Sequence, residues 1–160
     1  MRILTFVLTF TVVLACAVPA FADATIFIGN TTTPSGRQAK GFAVGVFSAL
    51  IVAAEFEYSS TSEKDEDAAP GLKTVMGNVI LQTPLALAGV QPYFTTGAGG
   101  YDETLGTRSD KSFGTNVGGG AKISLIGPLR VRLDYRAFNL HGEPLHGLVH
   151  RFYIGANLKF

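Results

Sequence analysis

The chain has no tryptophan and a single cysteine, Cys16, in 160 residues. One cysteine rules out an intrachain disulfide and any two- or four-cysteine metal site. Long apolar runs are also missing: nothing beyond residue 22 approaches the ~20 consecutive apolar residues of a membrane helix. Neither charge sign dominates, since 13 Lys+Arg stand against 12 Asp+Glu. Nothing in the charge therefore argues for nucleic acid as a partner. No phosphate-cradling glycine loop opens onto a helical segment, and Gly118-Gly119-Gly120 falls inside a strand pattern rather than a nucleotide site. No metal and no cofactor are expected.

The front of the chain reads as a targeting segment. Arg2 supplies a positive start, residues 3–18 are almost uninterruptedly apolar, and Ala20-Phe21-Ala22 forms a small-x-small cleavage site. The expected division is a signal peptide over 1–22, cut after Ala22, and one domain over 23–160. Val13-Leu14-Ala15-Cys16 offers a rival reading in which Cys16 is lipidated. Either way the segment is exported, and the domain that follows crosses a bilayer, if at all, with strands.

Periodicity then decides the class. At the C-terminus Phe152, Ile154, Ala156, Leu158 and Phe160 alternate with Arg151, Tyr153, Gly155, Asn157 and Lys159. A strand sends successive side chains to opposite faces, so one face here is wholly apolar and the other polar. Residues 129–137 repeat the pattern, with Leu129, Val131, Leu133 and Tyr135 opposed to Arg130, Arg132, Asp134 and Arg136. A face of three arginines and an aspartate does not suit the core of a soluble sandwich. It does suit a polar lumen whose opposite face meets lipid.

Eight strands can be read in this way, over 24–30, 40–47, 51–59, 72–82, 90–101, 113–123, 129–137 and 150–160. Short links (48–50, 83–89, 124–128) alternate with longer polar ones (31–39, 60–71, 102–112, 141–149). That is the asymmetry of outer-membrane barrels, with short turns at one end and longer loops at the other. Strands of ~10 residues, rising ~3.4 Å each and tilted ~45°, cover ~24 Å, the height of an outer-membrane apolar band.

The signal site, Gln91-Pro92-Tyr93 opening TTGAGGY, the stretch NVGGGAK at 116–122, residues 129–135 and the closing FYIGANLKF together resemble the small outer-membrane β-barrel superfamily, the OmpA/OmpX-like and opacity-protein-like group. The resemblance implies an all-β, eight-stranded, antiparallel up-and-down transmembrane barrel in the outer membrane of a Gram-negative bacterium. It also implies that Phe160 serves as an assembly signal read by the barrel-assembly machinery, and that lipid and lipopolysaccharide are the surroundings. It implies no single activity.

An eight-stranded barrel is just wide enough to be filled by its own side chains. The expected filling is a salt-bridge network of Glu55, Glu57, Arg130, Arg132, Asp134 and Arg136, with Lys122, Arg151, Tyr153 and Lys159 also inward and the glycines at 97, 99, 114, 118 and 120 making room. Arg132 or Arg136 with Glu55 or Glu57 is the expected central pair, because the third and seventh strands lie across the barrel. The expected role is structural or surface-interactive, through four external loops, without catalysis. Two alternatives are a lipid-A hydrolase using His141, His146, His150, Glu143, Ser109 and Ser112, and a soluble lipocalin-like barrel binding an apolar ligand. The acidic run at 63–67 is expected as a solvated loop, and Arg37, Lys40, Arg108, Lys111 and Arg151 as contacts for lipid phosphates.

Overall fold

A computed structural model describes residues 23–49 and 51–160; Cys16, Ala20 and Ala22 lie outside the described residues. The strands are β1 (Asp23–Thr31), β2 (Arg37–Ala49), β3 (Val52–Thr61), β4 (Gly71–Gln82), β5 (Val90–Leu105), β6 (Arg108–Ile126), β7 (Leu129–Leu140) and β8 (Leu148–Lys159). Each pairs antiparallel with its sequence neighbours, and β8 pairs with β1 to close the barrel. Closure leaves no strand edge, so the ladder satisfies the backbone polar groups of the wall even without water. Bulges at Gly45/Phe47 and Ser124/Ile126 mark the turn end of β2 and β6.

The side chains are arranged inside out relative to a soluble protein. Ile26 is 69% exposed, Ile154 51% and Leu133 43%, whereas Arg132, Arg136 and Arg151 are fully buried. The outward face carries Phe42, Val44, Phe56, Val75, Val79, Phe94, Val117, Phe152 and Leu158 around the circumference. In water such a belt would be a large exposed apolar patch; against hydrocarbon it is a solvated surface. The lipocalin-like alternative requires the opposite facing and fails on these exposures.

The links differ from expectation in two places. Residues 102–112 are not a long loop: β5 and β6 continue as a paired hairpin to Leu105↔Arg108, turning at Gly106-Thr107, with Gly106 at φ +57°. Polar residues alternate there too, so the hairpin rises beyond the apolar belt with water on its outer face. The acidic run at 63–67 is also more structured than a plain solvated loop. Asp65–Asp67 make a 3-10 turn, and Lys64 bridges to both Ala69 and Asp67, the latter at 2.5 Å. The hydrogen bond from Lys64 holds the Asp67 carboxyl below its ordinary pKa. At the other end, the turn at 124–128 closes on Gly127 at φ +52°, a conformation in which glycine carries no steric penalty.

Candidate functional site

The interior is built in three levels, beginning at the turn end. The Asp23 carboxylate takes the Lys122 ammonium at 2.6 Å and the Arg130 guanidinium at 2.9 Å. Arg130 also donates from Nε to Asn157 at 2.8 Å, and Asn157 donates in turn to Thr25 at 2.8 Å. Lys159, expected inward, is exposed at this end. It shares the inward parity of Asn157 but occupies the last position of β8, where the wall stops.

The middle level holds the expected network. Arg132 forks onto Glu55, with its second nitrogen at 3.2 Å, and reaches Asp134 at 3.1 Å. Arg136 reaches Glu55 at 3.1 Å, Glu57 at 3.0 Å and Asp134 at 3.0 Å. Glu55 and Glu57 of β3 thus meet Arg132 and Arg136 of β7, and Arg130 sits a level lower, against Asp23. Arg151 donates to Ser59 at 2.5 Å, stands 3.7 Å from Glu57, and stacks on Phe138 with its guanidinium 4.4 Å from the ring centre. Three carboxylates (Glu55, Glu57, Asp134) therefore face three guanidiniums (Arg132, Arg136, Arg151). A buried charge stripped of its partner costs several kcal/mol, so this balance is what makes the interior tolerable.

Tyrosines complete the shell. The Tyr93 hydroxyl donates to Asp134 and accepts from Arg132 Nε at 2.8 Å, and its ring lies 4.9 Å from that guanidinium. Tyr153 stacks on Phe27 with ring centres 4.1 Å apart. Gly120 explains why Tyr93 fits: a Cβ there would stand 2.6 Å from the Tyr93 hydroxyl. The pocket opening at the turn end beside Asp23, Glu55 and Lys122 encloses about 10 Å³, room for one water at most.

The third level is apolar, which the expectation of a polar lumen throughout did not include. Leu72, Met76, Tyr101, Phe138, Leu140 and Val149 form one buried cluster under the loops. Thr31 and Thr61 share a hydrogen bond of 3.0 Å, and Glu103 accepts from the Leu145 amide at 2.7 Å. Arg37, expected as a contact for lipid phosphates, is turned inward and buried, and Arg151, expected both inward and near those phosphates, is inward and buried as well. Both stand at lumen-facing positions of their strands, and Arg151 pairs beside Arg136. Sequence reasoning also missed Asp23, Tyr93 and Ser59 as network members. Their signal was parity: each lies two residues from an inward position on the same strand.

Two of the histidines meet aromatic neighbours. The ring of His150 joins the Tyr135 hydroxyl at 2.8 Å on the outer wall, and His141 packs beside Phe113 with ring centres 5.8 Å apart. Among the described residues no hydrogen bond links His141, His146 or His150 to the side chain of Ser109, Ser112 or Glu143. No group of three His, Cys, Asp or Glu side chains is placed to hold a metal ion among the described residues.

Comparison with solved structures agrees with this architecture. The N-terminal β-barrel domain of Pseudomonas aeruginosa OprF superimposes with a TM-score of 0.64 at 14% identity, covering 88% of this chain and 98% of that one. The fold is that of the small outer-membrane β-barrels. Neisserial surface protein A matches it with a TM-score of 0.64 at 13% identity, over 87% of this chain and 94% of that one. The outer-membrane enzyme PagL matches with a TM-score of 0.56 at 12% identity, over 85% and 98%. No family model matches the chain, and no curated protein matches it in sequence. At these identities the likeness establishes a barrel fold and leaves the activity to be argued from residues.

Proposed function

We propose that this chain is an integral protein of the bacterial outer membrane, exported by residues 1–22 and anchored by a single barrel over 23–160. Its lumen is closed by side chains, and its role is structural or surface-interactive, exercised through the links at the loop end rather than by catalysis. One observation carries the reading: fully buried guanidiniums are matched by carboxylates inside, while isoleucine, leucine and phenylalanine are exposed outside. Only a hydrocarbon surround makes both halves favourable at once.

The C-terminal Phe160 fits this role. Its side chain is 66% exposed on the apolar side and free to be read by the assembly machinery before the barrel inserts. Lipid and lipopolysaccharide are then the standing partners, with any further ligand met at the loops.

The test uses the absence of cysteine from 23–160. A Glu66→Cys variant, at an exposed site of the β3–β4 link, reacts with a membrane-impermeant maleimide on intact cells if the reading holds. The same protein then fractionates with the outer membrane and migrates faster on gels unless heated. Protection of this cysteine in intact cells, or recovery of the protein in the soluble periplasm, refutes the proposal. Planar-bilayer recording is expected to show no large stable conductance, and such a conductance would contradict the closed lumen.

A further inference from the structure

We infer that one half of the loop-end rim, across β2–β6, is a docking strip for phosphate-bearing lipids of the surrounding leaflet. The inference rests on the proposed bilayer orientation and goes beyond it by naming which residues take which chemical group.

The ladder places Lys40 opposite Ser60, Ser60 opposite Lys73, Lys73 opposite Asp102 and Asp102 opposite Lys111. These five residues are therefore one continuous row across five strands, all on the outward parity, with the three lysines exposed. Two residues down each strand, towards the turn end, a second row runs parallel: Phe42, Tyr58, Val75, Gly100 and Phe113. Phe42 and Tyr58 pack against each other with ring centres 5.7 Å apart. Aromatic side chains gather where a membrane's apolar layer meets its headgroups, so the lysines stand one step above that boundary. Their alkyl stems can lie along the aromatic row while the ammonium groups reach upward.

Spacing and charge define the occupant. Lysines on alternate strands stand about 10 Å apart, so each meets a separate headgroup. Asp102 is the one acid of the row, and Lys111 holds it at 3.1 Å. Among the described residues Lys40 and Lys73 have no carboxylate partner. The opposite half of the rim, on β7, β8 and β1, presents Asn139, His150 and Asn30 outward, without a lysine or arginine. A ligand for the charged half needs phosphate at the height of the ammonium groups and apolar chains against the belt beneath. A lipid meets both conditions, and a free anion meets only the first.

This reassigns part of the expected phosphate-contacting set. Arg37 and Arg151 face the lumen, Arg108 stands at the hairpin tip, and Lys73 enters in their place.

The experiment refolds the chain 23–160 into phosphatidylcholine vesicles carrying trace spin-labelled phosphatidic acid or spin-labelled phosphatidylcholine. Insertion is first verified for every variant by heat-modifiable migration; failure of the unaltered chain to insert would count against the bilayer reading itself. With insertion verified, the expected result at low salt is a preference for phosphatidic acid on the order of tenfold. That preference should fall to near unity in Lys40→Gln/Lys73→Gln/Lys111→Gln and rise in Asp102→Asn, which frees Lys111. Lys64→Gln, in the link beyond the rim, should leave it unchanged. Millimolar inorganic phosphate should not displace the labelled lipid. A preference that survives the triple substitution, or that free phosphate abolishes, overturns the strip.

Discussion

Glu55 joins the two central arginines of the lumen, and its removal tests the network directly. Its carboxylate serves Arg132 through both terminal nitrogens and Arg136 through one. Substituting Glu55→Gln leaves three buried guanidiniums facing two carboxylates. Breaking one partner out of a buried ion pair costs about 3–5 kcal/mol. Arg132 keeps Asp134, and Arg136 keeps both Glu57 and Asp134, which places the loss near the lower figure, about 3 kcal/mol. Glu55→Leu, without an acceptor oxygen, should approach about 5 kcal/mol. Against a total stability of about 5–15 kcal/mol, either loss is large. With a urea dependence of about 1–3 kcal/mol per molar, the midpoint for Glu55→Gln should fall by about 1–3 M. Because the chain has no tryptophan, unfolding in vesicles is followed by circular dichroism and by loss of the heat-modifiable band. The decisive comparison is the double variant Glu55→Gln/Arg132→Met, in which charges again balance and at least half of the loss should return. A single variant costing under about 1 kcal/mol, or a double variant losing the sum of its parts, would refute the idea that pairing rather than packing holds the interior.

Three further outcomes are expected. Leu133→Arg, in the middle of the apolar belt, should cost about 2–4 kcal/mol in vesicle unfolding. Gly120→Ala should cost at least about 1–3 kcal/mol, because its Cβ would collide with the Leu133 carbonyl oxygen and stand 2.6 Å from the Tyr93 hydroxyl, and a changed tyrosine signal in near-ultraviolet circular dichroism would report the displacement. Phe138→Ala should cost about 3–5 kcal/mol by hollowing the apolar level, and it should leave planar bilayers non-conducting because the ion-paired level beneath remains in place.

What could be read from sequence followed where the two faces differ chemically. On β7 and β8 one parity is arginine, aspartate, tyrosine and asparagine, and the other is leucine, isoleucine and phenylalanine, so facing and register follow directly from alternation. The β3–β7 pairing was legible for the same reason: two glutamates and three arginines on lumen-facing parities of strands half a circumference apart have few other partners. On β4 both parities are apolar, with Leu72, Met76 and Ile80 inward and Val75, Val79 and Leu81 outward. Alternation is silent there, and the apolar level of the lumen stayed hidden. The β5–β6 hairpin was misjudged because polar composition resembles a loop, although cross-strand pairs such as Tyr101↔Ser112 and Asp102↔Lys111 continue the ladder. Lys159 was misplaced because parity says which side a residue takes and nothing about where the wall ends.

Many of the partners inside this barrel come from strands that are not ladder neighbours. Glu55 and Glu57 on β3 wait for β7, Asp23 on β1 for β6 and β7, Ser59 on β3 for β8, and Asn78 on β4 for Asn116 on β6. An uncurled sheet or a lone hairpin would present those groups to lipid with nothing opposite them. Curling and zipping shut must therefore come as one event, with the first and last strands meeting before the acids and guanidiniums can shed their water.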